Sequence, residues 1–274
     1  MTGLLQTDPD IVLVDSINQL DASGQGKSVI AGSHGGHYPA YKAAVQRARA
    51  VILNDAGGAL DESGTACLDY CEKIGMAAAV VAHTSARRGD AASMVEAGTI
   101  SKANAVDRAS GCRIGMSCVE AATLLKAAPI AIGEPPPYEE TRFVIIDEAP
   151  RVICIDSASL VKPEDAGHIV ITGSHGGLIG GRREKAFNVD AVLTAFNDAG
   201  VGRDQAGIGR LAPLNDRGIA AVTVSHLTAR MGDSRSTYND GKISYANNIA
   251  RELGASVGAP LKTFVDLARE RISL

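Results

Sequence analysis

Four of the six histidines in this chain occur as matched pairs, and imidazole is the side chain whose ordinary pKa lies closest to neutral pH. His34 sits in Gly32-Ser33-His34-Gly35-Gly36, which recurs as Gly173-Ser174-His175-Gly176-Gly177, and His83 returns as His226. Residues of this type suit general acid/base chemistry, so His34, His175, His83 and His226 are the candidate catalytic residues. Two histidines of one copy with Asp55 or Asp90, or with Asp198 or Asp233, would also make a two-His, one-carboxylate set for a divalent metal. No local ligand spacing such as H-x-x-x-H accompanies them. A third reading leaves each histidine satisfied by backbone groups alone.

Other polar residues recur with the histidines. Asn54-Asp55-Ala56-Gly57 returns as Asn197-Asp198-Ala199-Gly200. Ala86-Arg87, one residue, then Gly89-Asp90 returns as Ala229-Arg230, one residue, then Gly232-Asp233. The candidate substrate-binding residues are therefore Ser33, Gly35, Gly36, Asn54, Asp55, Arg87 and Asp90, with Ser174, Gly176, Gly177, Asn197, Asp198, Arg230 and Asp233. Glycines after a strand allow positive φ and close approach of a ligand to the backbone, and a following helix N-terminus favours a negative group. Arg87 and Arg230 fit a carboxylate or phosphate in a bidentate way, or brace their own loops through Asp90 and Asp233. Asp55 can bind a ligand or cap a helix. Ser101 and Asn104, with Ser244 and Asn247, read as helix caps. Cys118, placed near a helix start, is a candidate nucleophile of the first copy alone.

The elements that must position these groups follow from the apolar runs. Ile11–Val14, Ser28–Ala31, Val51–Leu53 and Met76–Ala82 read as strands, and each is followed at once by a recurrent motif: Asp15-Ser16, the glycine loop, Asn54-Asp55 and His83. His37 to Arg49, Leu60 to Lys73, Ile100 to Ala109 and Val119 to Lys126 read as helices. Strands alternating with such helices imply βαβ units and a parallel sheet. All four motifs then lie at the carboxyl ends of the strands, the edge where open α/β folds bind ligands, and the glycine loop reads as a switch-point loop. The second copy is expected to carry the same order of elements, with a two-residue insertion between Gly177 and Ala191.

The predicted fold is α/β: two tandem homologous units, each a parallel-sheet βαβ (Rossmann-like) layer sandwich, related by pseudo-two-fold symmetry. Residues 1–128 form the first repeat, 129–150 a Pro-rich linker with Pro135-Pro136-Pro137, and 151–274 the second repeat. The copies also differ. Ser234, Thr237, Tyr238 and Asn239 stand where the first has Ala91, Met94, Val95 and Glu96, and His37-Tyr38 stands where the second has Leu178-Ile179. The asymmetry permits one working and one degenerate site, or one composite site.

Composition narrows the function. Aromatics make up 4% of the chain and Trp is absent, so the core is built from Ala, Val, Ile and Leu. A net charge of -4 without a basic run argues against nucleic acid and anionic membrane as partners. Five unpaired-looking cysteines at irregular spacing do not form a disulfide framework. No signal sequence or spanning segment is read, which makes the expected location cytoplasmic. Neither a nucleotide P-loop nor a G-x-G-x-x-G fingerprint is present, so no organic cofactor is expected and a divalent metal stays open. The expectation is a hydrolase acting on a small anionic or amide-bearing metabolite, assembled as a homo-oligomer. The alternatives are a lyase or isomerase acting on a small carboxylate and a non-enzymatic anion- or nucleotide-binding protein.

Overall fold

A computed structural model describes residues 8–272 as two mixed, mostly parallel β-sheets with short helices packed on both faces of each. Most of the stretch read as lacking a signal sequence, residues 1–7, lies outside the described residues. The first sheet holds β1 (Ile11–Val14), β2 (Ser28–His34), β3 (Ala50–Asn54), β4 (Ala77–Val81) and β5 (Ile100–Ala103), side by side in chain order. β1 to β4 are parallel, and β5 runs antiparallel to β4. The inner strands β3 and β4 are buried along their whole length, and β2 up to His34, because both faces of the sheet are covered. One face packs on a 3-10 turn (Ile17–Gln19), α1 (His37–Val45) and α2 (Cys67–Lys73). The other packs on α3 (Ala91–Ala97), α4 (Ala105–Ala109) and α5 (Cys118–Leu125).

The second sheet orders its strands as β6 (Arg142–Ile146), β7 (Val152–Ile155), β8 (Ile169–His175), β9 (Leu193–Asn197), β10 (Ala220–Val224) and β11 (Ile243–Ala246). β7 to β10 are parallel, while β6 and β11 are antiparallel edges. Its helices are α6 (Leu211–Asp216), α7 (Ser234–Asn239), α8 (Asn248–Glu252) and α9 (Leu261–Ile272). Among the described residues no helix is long and apolar enough to cross a membrane.

Five expectations change. The segment 100–109 is not one helix: β5 comes first, because Ile100 and Ala103 are buried while the two residues between them are not, and α4 starts after Asn104. Asn104 caps α4 as expected, accepting from the Asp107 amide at 2.9 Å. Ser101 caps nothing; its hydroxyl donates to Asp55 Oδ2 at 2.9 Å. Leu60–Lys73 is broken as well, because Asp61 and Glu62 take φ of 55° and 56°, outside the helical region. The strands follow chain order, so the glycine loop is not at a switch between neighbouring strands. Finally, no helix follows the second glycine loop. Residues 178–190 form an irregular segment with one 3-10 turn, Arg183–Lys185, and Gly180 donates its amide to the Gly89 carbonyl of the first half at 2.6 Å.

Candidate functional site

The carboxyl ends of β2 and β8 face each other, and a cavity of about 220 Å³ lies there. Ser33 and His34 line one wall, Ser174 and His175 the other, with the turns after β1 and β7 closing the sides. The rings of His34 and His175 meet edge to face, their centroids 6.3 Å apart. The two glycine loops thus build one cavity between them.

The tautomer of both rings is fixed by the loop itself. The Gly36 amide donates to His34 Nδ1 at 3.1 Å, and the Gly177 amide donates to His175 Nδ1 at 3.1 Å. Nδ1 is therefore an acceptor in each ring, and the proton of the neutral imidazole sits on Nε2. Burial, with the nearby Arg88 cation, lowers the His34 pKa to about 3. Burial followed by Arg88 and Arg210 holds His175 well below the ordinary imidazole value. Both rings are neutral hydrogen-bond donors at pH 7, which suits polarising an oxygen better than relaying a proton.

The glycines of the loops serve close packing. Neither Gly35 and Gly36 nor Gly176 and Gly177 have positive φ. A Cβ on Gly35 would lie 2.6 Å from the Gly64 carbonyl oxygen, and one on Gly36 would lie 2.7 Å from His34 Nδ1. Their amides are also engaged: Gly35 donates to the Asn54 carbonyl and Gly176 to that of Asn197, each at 2.8 Å. The Ser33 and Ser174 hydroxyl oxygens accept from the Ile17 and Ala158 amides, each at 2.9 Å, and so pin the turns after β1 and β7.

His83 and His226 do not line this cavity. Asp55 Oδ1 accepts from His83 Nδ1 at 2.9 Å, and Asp198 Oδ1 accepts from His226 Nδ1 at the same distance. Burial works to raise the pKa of each aspartate. The bonds from histidine, backbone and Ser101 or Ser244 outweigh it and leave both below the ordinary carboxylate value. Each histidine packs on the opposite half: a Cβ on Gly200 would lie 2.7 Å from His83 Cδ2, and one on Gly57 2.9 Å from His226 Cδ2. These dyads tie the halves together. The two-His, one-carboxylate sets are not assembled, since His34 faces His175 and not His83. Among the described residues no three His, Cys, Asp or Glu groups converge as metal ligands.

The paired arginines also bridge the halves. Arg87 bonds Asp90 and Asp204, each at 3.0 Å, and Arg230 Nε bonds Asp61 at 2.8 Å. Asp90 and Asp233 cap α3 and α7, accepting from the Ser93 and Ser236 amides. Arg230 and Asp233 border a second cavity of about 370 Å³ with His37 and Tyr138. Asn54 and Asn197 are fully buried and hold their own turns through the Ala56 and Ala199 amides.

Several groups at or beside the cavity escaped the sequence reading. Arg182 and Lys185 come from the segment that replaces a helix in the second half, and Arg210 stands where the first half has Cys67. Arg210 is buried, its Nε donating to the Gly177 carbonyl at 2.9 Å and its Nη1 to that of Ala186. Burial alone lowers its pKa to about 10, so it stays charged. Glu140, in the segment read as a linker, lines the cavity; burial and the neighbouring Asp156 raise its pKa to about 7. Arg88, 3% exposed, is the single residue skipped between the matched Arg87 and Gly89, and Met231 takes its place in the second half. Arg88 and Arg210 were marked in the sequence only by their difference from Met231 and Cys67 at the matched positions, and Glu140 lies outside the matched stretches. Cys118 is fully buried and burial pushes its thiol up to about 12, which removes it as a nucleophile.

Comparison with known proteins finds no matching family, no matching curated protein and no matching solved structure.

Proposed function

We propose that the chain is an enzyme acting on a small anionic, carbonyl- or amide-bearing metabolite in the cavity between β2 and β8. The two halves are read as copies of one α/β unit about a pseudo-two-fold axis that passes between His34 and His175, with one composite site in place of two. The observation that carries the reading is the pair of neutral imidazoles, each fixed as an Nε2–H donor by its own loop amide. Such preorganised donors stabilise charge developing on a carbonyl oxygen, and they do so most strongly away from water. Arg210, with Arg182 and Lys185, gives the cavity cations for a substrate carboxylate. Glu140, whose pKa of about 7 lets it accept or release a proton at neutral pH, is the acid/base group for hydrolysis or a related lyase or isomerase step. The volume suits a ligand well below drug size.

A binding protein without turnover is the second reading, and the low pKa values of both histidines favour it, since neither exchanges a proton readily at pH 7. One experiment separates the two. Thermal shift against small mono- and dicarboxylates, amides and lactams should find compounds that raise Tm, an effect lost in His34→Ala and His175→Ala and kept in His83→Ala. Binders are then incubated with the protein and followed by proton NMR. Conversion that stops in Glu140→Gln while binding persists supports the enzyme. Binding without conversion supports the second reading, and a panel without binders overturns both.

A further inference from the structure

Arg88 leaves β4's following loop in the first half and crosses the seam between the halves. Its Nη2 donates to Asn54 Oδ1 at 2.8 Å and to the Ala199 carbonyl of the second half at 2.9 Å. Its Nε and Nη1 have no protein partner, and both atoms are shielded from solvent. A buried guanidinium with two unmatched donors is costly, and native structures fill such places with a water or an ion. Neutralising Arg88 is no escape. Burial lowers its pKa only to about 10, because Asp55 and Asp198 act on it from the two halves. Neither of these carboxylates bonds the guanidinium; Asp55 and Asp198 are held by His83 and His226, by the Gly57 and Gly200 amides, and by Ser101 and Ser244.

Asn54 is the register neighbour of His34 across β2 and β3, and Asn197, two residues before Ala199, is that of His175 across β8 and β9. Arg88 therefore sits against the ends of both histidine-bearing strand pairs. Arg88 is not one of the residues lining the cavity, so the place is distinct from the bulk of that site. Met231, its counterpart, has no donors to offer, so the seam holds one such place and not two.

We propose that the seam beside Arg88 is a binding site for one small anion, held by the Arg88 Nε and Nη1 protons. The anion has the chemistry of a halide or a single carboxylate group. The site does not require that the neighbouring cavity be catalytic.

Crystals grown in sodium bromide test this directly, with data collected at the bromine absorption edge. The expected result is an anomalous peak within hydrogen-bond reach of Arg88 Nε and Nη1, absent in Arg88→Met, the residue the second half accepts at this place. A water in that position, with bromide bound only at the surface, would overturn the proposal. Wild-type crystals alone decide the point if Arg88→Met does not fold. Soaking in formate or malonate then identifies the source: loss of the bromide peak assigns the site to a ligand carboxylate, and its persistence assigns it to a resident halide. A bromide peak at Arg88 in a protein that binds no compound of the carboxylate and amide panel would uphold this site while sinking the proposed cavity function.

Discussion

Gly57 and Gly200 stand back to back where the two halves meet: a Cβ on Gly57 would lie 3.0 Å from the Gly200 Cα, and one on Gly200 3.1 Å from the Gly57 Cα. Both have positive φ, 71° and 78°. Each also receives the histidine of the opposite half, so the Asn-Asp-Ala-Gly turns are the hinge pins of the seam. Around them the halves exchange further bonds, including Arg203 N to the His83 carbonyl at 2.9 Å and Met231 N to Ser63 Oγ at 2.8 Å.

Gly57→Ala and Gly200→Ala should therefore be among the most damaging alanine substitutions in the chain. The left-handed backbone costs about 1–2 kcal/mol and the clash about 1–3 kcal/mol more. Gly75→Ala provides the control, because Gly75 has φ of 74° but open space around it. Urea denaturation should show the control losing only the backbone contribution of roughly 1–2 kcal/mol. Equal losses at Gly57 and Gly75 would refute the close packing.

Arg87 and Arg230 should matter little to ligand binding. Their side chains are 40% and 45% exposed and already tied to Asp204 and Asp61. An exposed pair of this kind contributes about 0–1 kcal/mol. A double-mutant cycle on Arg230 and Asp61 should give a coupling in that range, and Arg230→Ala should bind any compound of the panel as the wild type does. A large loss of affinity in Arg230→Ala would return it to the role of ligand anchor.

The neutral histidines predict how stability varies with pH. His34 and His175 bind a proton in the unfolded chain below the model-peptide value of 6.5 but resist it when folded. Between pH 6.5 and the lowered folded values the unfolded state holds more protons, so stability falls as pH falls, by up to about 1.4 kcal/mol per pH unit for each ring. Glu140 works in the opposite sense. Its folded pKa is raised to about 7, so its folded-state proton is lost, and stability with it, as pH rises from 4.5 through 7. Denaturation of Glu140→Gln between pH 7 and 4.5 isolates the histidines. A slope that vanishes in this variant, with His34 and His175 intact, would mean the rings are not held neutral. The depressed Asp55 and Asp198 carboxylates enter only below about pH 4, where stability falls further as their folded pKa values are crossed.

All five cysteines are free and buried, and burial raises every one of their pKa values. The native protein should leave Ellman's reagent unreacted at pH 8 and release all five equivalents once unfolded in urea. Rapid reaction of Cys118 in the folded state would reopen its candidacy as a nucleophile.

The sequence by itself determined the local pieces. Short apolar runs with polar residues directly after them had to be buried strands ending in polar turns, because no other element hides four or five consecutive apolar residues so compactly. Asn104 was legible as a cap from its type and spacing, and the inserted residues after Gly177 lie where the second half gives up a helix. Ile100–Ala103 was not legible, since Ile, Ser, Lys and Ala suit a strand or a helix, and only its place beside β4 decides between them. Of the candidate cavity, Ser33, His34, Ser174 and His175 were legible in the sequence, and Arg210 and Glu140 were not. Repetition marked His34 and His83 equally, yet one faces a cavity and the other locks a seam. That difference arises from how two sheets meet, a relation between residues far apart in the chain. Arg88, Arg210 and Glu140 have no local signature, because a charge becomes special only when tertiary packing removes water from around it, and no spacing along the chain records that.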